Sequence, residues 1–174
     1  QLATSNSESI NKALGYIAES IVERSDEIIG SNLLDIKLAK DADLDDHMID
    51  RLLLNKDRIE KMSQGVINIS SLPSPIGIES ESRVLENGML LSQRTVPLGV
   101  IGVIYESRPN ITIDISALCL KSNNAVILRG GKESINSNIC LEGIIRDSLK
   151  KSNLSKNSIQ LIKSAARKVI NELL

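Results

Sequence analysis

Four residues near the middle of the chain have the composition of an anion-binding turn. Arg129, Gly130, Gly131 and Lys132 directly follow a short apolar run, Ala125–Leu128. Such runs form buried strands, and open α/β sheets bind ligands at the carboxyl ends of their strands. Two cations beside conformationally permissive glycine backbone suit a phosphate group. The alternative is an exposed basic turn without a ligand, and the spacing alone does not separate the two.

A second polar turn, Glu106–Asn110, follows an earlier apolar run, Leu98–Tyr105. If that run is a strand, the turn lies at the same edge of the sheet as the basic turn. The planar guanidinium of Arg108 is well shaped for a carboxylate or a phosphate. The alternative is that Pro109 and Asn110 merely start the next helix, because proline suits the first helical turn.

A βαβ unit would bring these two turns together. Both apolar runs are continuous, which is typical of parallel strands covered on both faces. Parallel strands need a long crossover, and Ile111–Lys121 has the length and apolar content of a helix. Gly99 and Gly102 lie within the first run, where their spacing indicates close packing and not the G-x-G-x-x-G phosphate cradle.

The segments around this unit also show regular patterns. Downstream, apolar spacing predicts a helix, a third short strand and a further helix, at 134–150, Ile159–Ile162 and Ser164–Leu174. Upstream, residues 83–86 and 89–96 are two extended segments about Asn87-Gly88, a strong hairpin signal. We hypothesise that this hairpin serves subunit pairing.

The N-terminal third is predicted to be helical. Apolar residues repeat at helical spacing in four segments, at 10–28, 33–40, 48–53 and 59–69. Ser7 or Ser9 would cap the first helix and Gly30 would end it. The acidic stretch from Asp41 to Asp46 is best explained by helix-start carboxylates rather than a metal site. We expect this region to be a scaffold for the sheet.

Composition excludes several classes of protein. The chain has 174 residues, a net charge of −1 and two aromatic residues, Tyr16 and Tyr105. Nucleic acid is not an expected partner, because base stacking needs aromatics beside a basic surface. No apolar stretch is long enough to span a membrane and no leader is recognisable, so we expect a cytoplasmic protein without membrane association. Cys119 and Cys140 are interpreted as buried thiols rather than a disulfide framework.

The string PLGVIGVIYESRPN, continued by ALCLKSNNAVILRGGKE and a later Ser-Asn pair, resembles the gamma-glutamyl phosphate reductases. These enzymes, also called glutamate-5-semialdehyde dehydrogenases, are members of the aldehyde dehydrogenase superfamily. Upstream, MIDRL at 48–52, PIG at 75–77 and Asn87-Gly88 resemble further pieces of the same family. The resemblance covers nearly the whole chain.

The resemblance implies an α/β fold: an N-terminal helical segment, a partial Rossmann-like parallel sheet of the aldehyde dehydrogenase type, and a β-hairpin oligomerisation element. The corresponding regions are residues 1–80 as helical support, 81–97 as the hairpin, and 98–174 as the first half of the NADP-binding domain. We interpret the sequence as an N-terminal portion of a longer enzyme, because three strands of an open sheet leave unpaired edges.

The implied reaction is the NADPH-dependent reduction of L-glutamate 5-phosphate to L-glutamate 5-semialdehyde and phosphate in proline biosynthesis. A cysteine thiolate displaces phosphate, and hydride then reduces the thioester. In this family the nucleophilic cysteine lies in a later segment, so neither Cys119 nor Cys140 corresponds to it. The expected enzyme is a homo-oligomer, and glutamate 5-kinase is a candidate partner.

Three hypotheses follow from the missing nucleophile. The chain is part of the reductase, or a catalytically inactive coenzyme-binding and oligomerisation module, or part of a bifunctional pyrroline-5-carboxylate synthase. The third would need an amino-acid kinase domain upstream of Gln1, which this sequence does not show.

The resemblance also implies roles for individual residues. A superfamily lysine at the position of Arg129 contacts the adenosine ribose, so arginine there with Lys132 nearby fits the 2′-phosphate of NADP. Gly130 and Gly131 complete this cofactor-binding turn. Glu106 and Ser107 belong to the turn used for nicotinamide-side contacts, and Arg108 and Asn110 are the expected substrate-binding residues.

Two positions depart from the family pattern. Asn123 stands where glycine is usual, which is conservative if its backbone is left-handed, because asparagine tolerates that conformation well. Asn136 replaces a histidine often found before Ser137-Asn138.

Overall fold

A computed structural model describes residues 2–164 of the chain. Its helices are α1 Ser7–Glu23, α2 Ser25–Asp41, α3 Asp46–Leu52, α4 Lys56–Ser71, α5 Asn110–Lys121 and α6 Ile135–Lys151. Its strands are β1 Glu79–Val84, β2 Leu90–Arg94, β3 Val100–Ile104, β4 Ala125–Arg129 and β5 Ile159–Leu161. The helix predicted from Ser164 to Leu174 falls on residues 165–174, which lie outside the described part.

Apolar spacing predicted four N-terminal helices, as observed, but it misplaced the boundary between the first two. α1 ends at Glu23, and Arg24, with φ −100° and ψ 23°, separates it from α2. The predicted end at Gly30 is wrong, because Gly30 lies inside α2 where a Cβ would meet no atom within 4 Å. The backbone leaves helical geometry for a single residue, so Ile28 stays buried and the apolar pattern conceals the break.

Side-chain oxygens cap three of these helices. Asn6, Asp45 and Asn55 each accept a hydrogen bond from the backbone N–H three residues later, at 2.7 to 2.8 Å. The cap of α1 is therefore Asn6 rather than Ser7 or Ser9. Asp45 confirms that the acidic stretch supplies a helix cap, which satisfies one of the free N–H groups of the first turn.

The predicted hairpin is present. β1 and β2 pair antiparallel, from Val84 opposite Leu90 to Glu79 opposite Arg94. Gly88 donates to the carbonyl of Leu85 at 2.9 Å and has a φ of 83°. Glycine is suited to this position because a positive φ carries no Cβ penalty there. Both faces of the hairpin are exposed, and its role in subunit pairing stays a prediction.

The predicted βαβ unit is confirmed and extended by a third strand. β3, β4 and β5 form a parallel sheet in that order, with Ile104 paired to Arg129. The backbone N–H of Tyr105 donates to the Arg129 carbonyl at 3.0 Å. The two polar turns therefore begin side by side at the carboxyl ends of β3 and β4.

The expectation that β3 is covered on both faces is wrong for the described residues. Val100 and Ile104 are 68% and 46% exposed, whereas Ile101 and Val103 pack against the core. Strand β3 is the edge of this sheet, and the residues described here cover one of its faces. The packing role predicted for its glycines is also wrong: Gly99 precedes β3 with a φ of 113°, and Gly102 is exposed.

The main hydrophobic core runs from the N-terminal helices to β5, and a smaller cluster of Ile36, Ala39 and Leu52 lies between α2 and α3. The largest fully buried side chains come from helices α1 to α6 and the central strand, among them Ile10, Leu14, Ile17, Ile21, Leu52, Ile113, Leu120, Leu128, Leu141 and Ile144. The helices therefore pack directly on the sheet. The division of the chain at residues 80 and 97 stays a prediction.

Asn123 has the predicted left-handed backbone, with a φ of 54°. Its side-chain amide donates to the carbonyls of Leu2 and Ser5, at 3.2 and 2.8 Å. Asparagine thus fits a conformation that usually favours glycine, and it also holds the first residues of the described chain. Over residues 2–164 no helix has the length and apolarity that a bilayer crossing requires.

Candidate functional site

Two clefts flank the polar turn that follows β3. The first has a volume of about 700 Å³ and is lined by Met48, Ile104, Tyr105, Glu106, Ser107, Arg129, Gly131, Lys132 and Glu133. The second has a volume of about 390 Å³ and is lined by Arg51, Leu53, Leu54, Arg58, Lys61, Met62, Arg108, Asn110 and Asp114. We call them the strand-end cleft and the cationic pocket. Successive residues of one turn therefore face two different cavities.

The strand-end cleft combines two cations with two carboxylates. Arg129 ends β4, and Lys132 is exposed at the start of the short 3-10 turn that follows. Glu133 is oriented by Ser107, whose hydroxyl donates to Glu133 Oε2 at 3.0 Å. This bond links the segments after β3 and β4 across the floor of the cleft. The cations can attract phosphate, while the carboxylates can accept hydroxyl protons.

Gly130 and Gly131 lie where an added Cβ would meet neighbouring side chains, and neither has a backbone conformation that favours glycine. Neither has a positive φ, and Gly131 is extended at φ −61° and ψ 153°. A Cβ on Gly131 would lie 2.8 Å from Glu133 Oε2 and 3.1 Å from Ser107 Oγ. The predicted reason, permissive backbone, is therefore wrong. Gly131 leaves room for close approach to the cleft floor.

Gly130 lies beneath the cleft, where a Cβ would overlap the side-chain nitrogen of Asn138. A chain of buried hydrogen bonds fixes this layer. Tyr105 and Thr112 join their hydroxyls at 2.7 Å, Thr112 donates to Asn138 at 2.9 Å, and Asn138 donates to Ser134 at 3.0 Å. Because the Thr112 hydroxyl donates to Asn138, the phenol of Tyr105 is the donor in the bond between the two hydroxyls. Burial raises the pKa of Tyr105, which keeps the phenol protonated.

The cationic pocket is built by the N-terminal helices and the start of α5. Two of its four cations are already occupied: Arg58 donates to the Leu53 carbonyl at 2.9 Å and to Asp50, and Lys61 pairs with Asp57 at 2.7 Å. Arg51 and Arg108 have no ion pair within residues 2–164. Two guanidinium groups are therefore available to an anion.

Asp114 is the carboxylate of this pocket. Asn110 donates its side-chain amide to Asp114 Oδ2 at 3.0 Å, one turn along α5. Burial raises the pKa of Asp114, and the bond from Asn110 opposes this shift. No cation within residues 2–164 pairs with it. A desolvated carboxylate of this kind would be stabilised by a cationic ligand.

The structure distributes the eight predicted site residues over three places. Glu106, Ser107, Arg129, Gly131 and Lys132 line the strand-end cleft, as their positions after β3 and β4 predicted. Gly130 lies beneath it. Arg108 and Asn110 line the cationic pocket.

Five polar residues of the two cavities were not predicted from the sequence: Arg51, Arg58, Lys61, Asp114 and Glu133. The N-terminal third was expected to be scaffold alone, yet α3 and α4 contribute three cations to the pocket. The one feature of the sequence that pointed to this region is the MIDRL segment at 48–52, which contains Arg51 and resembles the reductase family. Its arginine reaches the pocket only in the folded chain, because Arg108 and Asp114 lie far from it in sequence.

Neither cysteine lines either cavity. Cys119 is buried as predicted, whereas Cys140 is only half-buried, with Sγ 3.8 Å from Glu27 Oε1. Burial raises the pKa of both thiols, which disfavours the thiolate. Over residues 2–164 no group of three His, Cys, Asp or Glu side chains is placed to hold a metal ion.

The strand-end cleft has side chains whose chemistry suits a phosphate-bearing ligand. Its floor is the side-chain-free backbone of Gly131, where a Cβ would intrude, and its wall carries Arg129 and Lys132. Cations at the carboxyl end of a parallel sheet are well placed for phosphate, and the carboxylates beside them suit ribose hydroxyls.

Comparison with curated proteins shows similarity along the whole chain. It is 49% identical over 174 residues to the gamma-glutamyl phosphate reductases of Vibrio parahaemolyticus and Photobacterium profundum. The match covers 100% of this chain and 42% of each relative, so the chain spans about two-fifths of their length. No family model matches the chain.

Solved structures show the same relationship. The gamma-glutamyl phosphate reductase of Thermotoga maritima matches with a TM-score of 0.96 and 36% identity, over 99% of this chain and 42% of that one. The enzyme of Saccharomyces cerevisiae matches at a TM-score of 0.88 and 35% identity, over 95% of this chain and 43% of that one. The match with an acetylating aldehyde dehydrogenase from Geobacillus thermoglucosidasius covers 99% of this chain and 35% of that chain, at 13% identity. Its TM-score of 0.69 shows a shared fold.

These comparisons confirm the resemblance found in the sequence. Over its whole length, the chain is homologous to part of the gamma-glutamyl phosphate reductases and has the fold of the aldehyde dehydrogenases.

Proposed function

We propose that this chain supplies the coenzyme-side and substrate-side walls of an NADPH-dependent reductase that converts L-glutamate 5-phosphate to L-glutamate 5-semialdehyde and phosphate. The observation that carries the proposal is the placement of one turn between two cavities. Glu106 and Ser107 face the strand-end cleft, while Arg108 and Asn110 face the cationic pocket. A turn in this position can hold a hydride donor on one side and an acyl phosphate on the other.

The strand-end cleft is the proposed coenzyme site. Arg129 and Lys132 bind the 2′-phosphate, which selects NADP over NAD. Gly131 lets the nucleotide approach the backbone, and Glu106 with Ser107 lines the side nearer the nicotinamide. NADPH, when bound, supplies the hydride that reduces the acyl group to the aldehyde.

The cationic pocket is the proposed substrate site. Arg108 binds the acyl phosphate through its planar donor fork, and Asn110 borders the same pocket at the start of α5. Arg58 and Lys61 line the same pocket, but each is already paired with an aspartate, so the positive charge available to an anion comes from Arg51 and Arg108. An anionic substrate is therefore drawn to a pocket that lies next to the coenzyme.

The longer enzyme would act in proline biosynthesis, in the cytoplasm, as a homo-oligomer paired through the hairpin of β1 and β2. Glutamate 5-kinase is a candidate partner, because a kinase acting on the glutamate side chain would produce the acyl phosphate. The exposed strands of the hairpin support a pairing role.

A second role, binding without turnover, is favoured for the 174 residues by themselves. Covalent capture of the acyl group needs a thiolate at the site. Cys119 and Cys140 lie outside both cavities, and burial raises the pKa of each thiol. The nucleophile of the proposed reaction is therefore assigned to the part of the longer enzyme that this chain does not span.

A chimaera tests the proposal. The matching segment of the Vibrio parahaemolyticus relative is replaced by this chain, and the purified protein is assayed for NADP- and phosphate-dependent oxidation of L-glutamate 5-semialdehyde, the reverse reaction. We expect turnover, with NADP preferred to NAD. A chimaera that folds and assembles like its parent but does not turn over would contradict the proposal.

The 174-residue chain is the matched control. It is expected to show no turnover under the same conditions. NADP-dependent oxidation by this chain alone would overturn the assignment of the nucleophile to another segment.

A further inference from the structure

We infer that Asp114 and Arg51 bind the α-amino acid end of the substrate, Asp114 its ammonium and Arg51 its carboxylate. This inference rests on the proposed function and deepens it. Neither residue was singled out by its sequence context for binding. Both become candidates because packing places them on the wall of one cavity of about 390 Å³.

The charge pattern of the cationic pocket matches the ligand. An acyl phosphate alone would be served by cations, and a carboxylate facing it would repel it. Asp114 is the exception among the charged residues of this pocket, which are otherwise Arg51, Arg58, Lys61 and Arg108. A single carboxylate among cations is suited to a ligand with two anionic groups and one ammonium, which is the charge pattern of a γ-phosphorylated α-amino acid.

The side chain of Asp114 is fixed by a hydrogen bond but is not paired with a cation among residues 2–164. Its Oδ2 accepts from Asn110 Nδ2 at 3.0 Å, which fixes the side chain, and within residues 2–164 no lysine or arginine pairs with it. α4 approaches closely here, since a Cβ on Gly65 would lie 4.0 Å from Asp114 Oδ1. A partly buried carboxylate that has kept one oxygen for a ligand can bind an ammonium strongly.

The two guanidinium groups without ion pairs reach the pocket from different elements, Arg108 from the turn after β3 and Arg51 from α3. Arg108 belongs to the turn whose other face lines the strand-end cleft, so it is the cation next to the reacting carbon. Arg51 lies on α3 and not on that turn. The reacting end of the substrate is assigned to Arg108, and the α-carboxylate to Arg51.

The alternative is that Asp114 only fixes Asn110 and the first turn of α5. Such a structural role would lower activity on every substrate to the same extent. A binding role lowers it only for substrates that carry the recognised group. Three aldehydes separate these cases: L-glutamate 5-semialdehyde, 5-oxopentanoate, which lacks the ammonium, and 4-aminobutanal, which lacks the carboxylate.

The test measures kcat/KM of the chimaera for the three aldehydes, with NADP and phosphate held constant. Asp114→Asn should reduce kcat/KM for the semialdehyde and for 4-aminobutanal by about tenfold or more, with a much smaller loss on 5-oxopentanoate. Arg51→Gln should reduce it for the semialdehyde and 5-oxopentanoate, with a much smaller loss on 4-aminobutanal. Asp147→Asn and Lys37→Gln, at exposed positions outside the pocket, are the matched controls.

Equal losses on all three aldehydes would overturn the inference while leaving the proposed function intact. An unsubstituted chimaera that oxidises none of them would contradict the proposed function instead. In that event binding of L-glutamate and glutarate to the 174-residue chain, measured by calorimetry, decides the inference. Weaker binding of L-glutamate, but not of glutarate, by the Asp114→Asn chain supports it, and equal binding of both ligands by the two chains overturns it.

Discussion

Ser137 donates two hydrogen bonds to one oxygen of Asp35, from its backbone N–H at 2.8 Å and from its hydroxyl at 2.6 Å. The other oxygen of Asp35 accepts from the backbone and side chain of Asn136, at 3.1 and 2.8 Å. A carboxylate on α2 thus caps the first turn of α6, where the helix dipole favours negative charge. The short 3-10 turn Lys132–Ser134 joins this first turn of α6 to the two glycines at the strand-end cleft.

Removing the Asp35 cap should strongly destabilise the folded protein. Asp35 is 1% exposed, so Asp35→Ala would leave buried N–H groups without partners, and we expect it to lower the free energy of unfolding by about 2–4 kcal/mol. Urea denaturation monitored by circular dichroism measures the change. Asp26→Ala, an exposed position on the same helix, should change stability by less than about 0.5 kcal/mol. A similar small effect for both variants would contradict the role of Asp35.

Gly130 should tolerate no side chain. A Cβ there would overlap Asn138 and lie 3.0 Å from the Tyr105 ring, so Gly130→Ala should destabilise the protein by about 1–3 kcal/mol. Gly143→Ala, inside α6, is the matched control. A Cβ at Gly143 meets nothing within 4 Å, and alanine should there stabilise by up to about 1 kcal/mol. Thermal unfolding of both variants gives the comparison, and equal melting temperatures would show that the buried layer can adjust.

The ionised carboxylate of Asp114 should lower the free energy of unfolding at neutral pH, because it is partly buried without a cationic partner among residues 2–164. Burial raises its folded-state pKa, so the folded state binds the proton more tightly than the unfolded state, and stability falls as pH rises through the two pKa values. Asp114→Asn should therefore raise the unfolding midpoint at pH 7. The difference should vanish below the ordinary pKa of 3.8, where both states are protonated. A variant less stable at pH 7 would show that Asp114 is chiefly structural.

Arg129 and Lys132, the two cations of the strand-end cleft, should contact the 2′-phosphate of the coenzyme. In the chimaera, Arg129→Ala and Lys132→Ala should each weaken the binding of NADPH by about tenfold, because one charge-assisted contact is lost. The affinity for NADH should change little. Coenzyme fluorescence titration measures both affinities. Lys156→Ala, distant in the chain and outside the cleft, controls for general charge. Equal losses for NADPH and NADH would mean that neither residue contacts the 2′-phosphate.

Sequence predicted the elements well because each has a local signal. Continuous apolar runs gave β3 and β4, and Asn87-Gly88 gave the hairpin. The same signals cannot show what covers a strand, which is why the exposed face of β3 was missed. Arg24 interrupts a helix for one residue without changing the apolar spacing, so the break before α2 was invisible as well.

The site residues also fall into those that the sequence could predict and those that it could not. Residues after β3 and β4 were predictable because parallel strands end at one edge of the sheet. Arg51 and Asp114 were not, since one lies on α3 and the other inside α5, 63 residues apart by their numbers in the chain. Their meeting depends on how the N-terminal helices pack against the sheet. Composition and spacing do not encode that packing in any short window.

The division of the polar turn between two cavities is the central claim, and steady-state kinetics of two variants of the chimaera test it most directly. Lys132→Ala should raise KM for NADP by about tenfold and leave KM for phosphate unchanged, because Lys132 lines only the strand-end cleft. Arg108→Ala should raise KM for phosphate and leave KM for NADP unchanged, because Arg108 lines only the cationic pocket. If each variant raised both KM values alike, the two cavities would not be separate coenzyme and substrate sites.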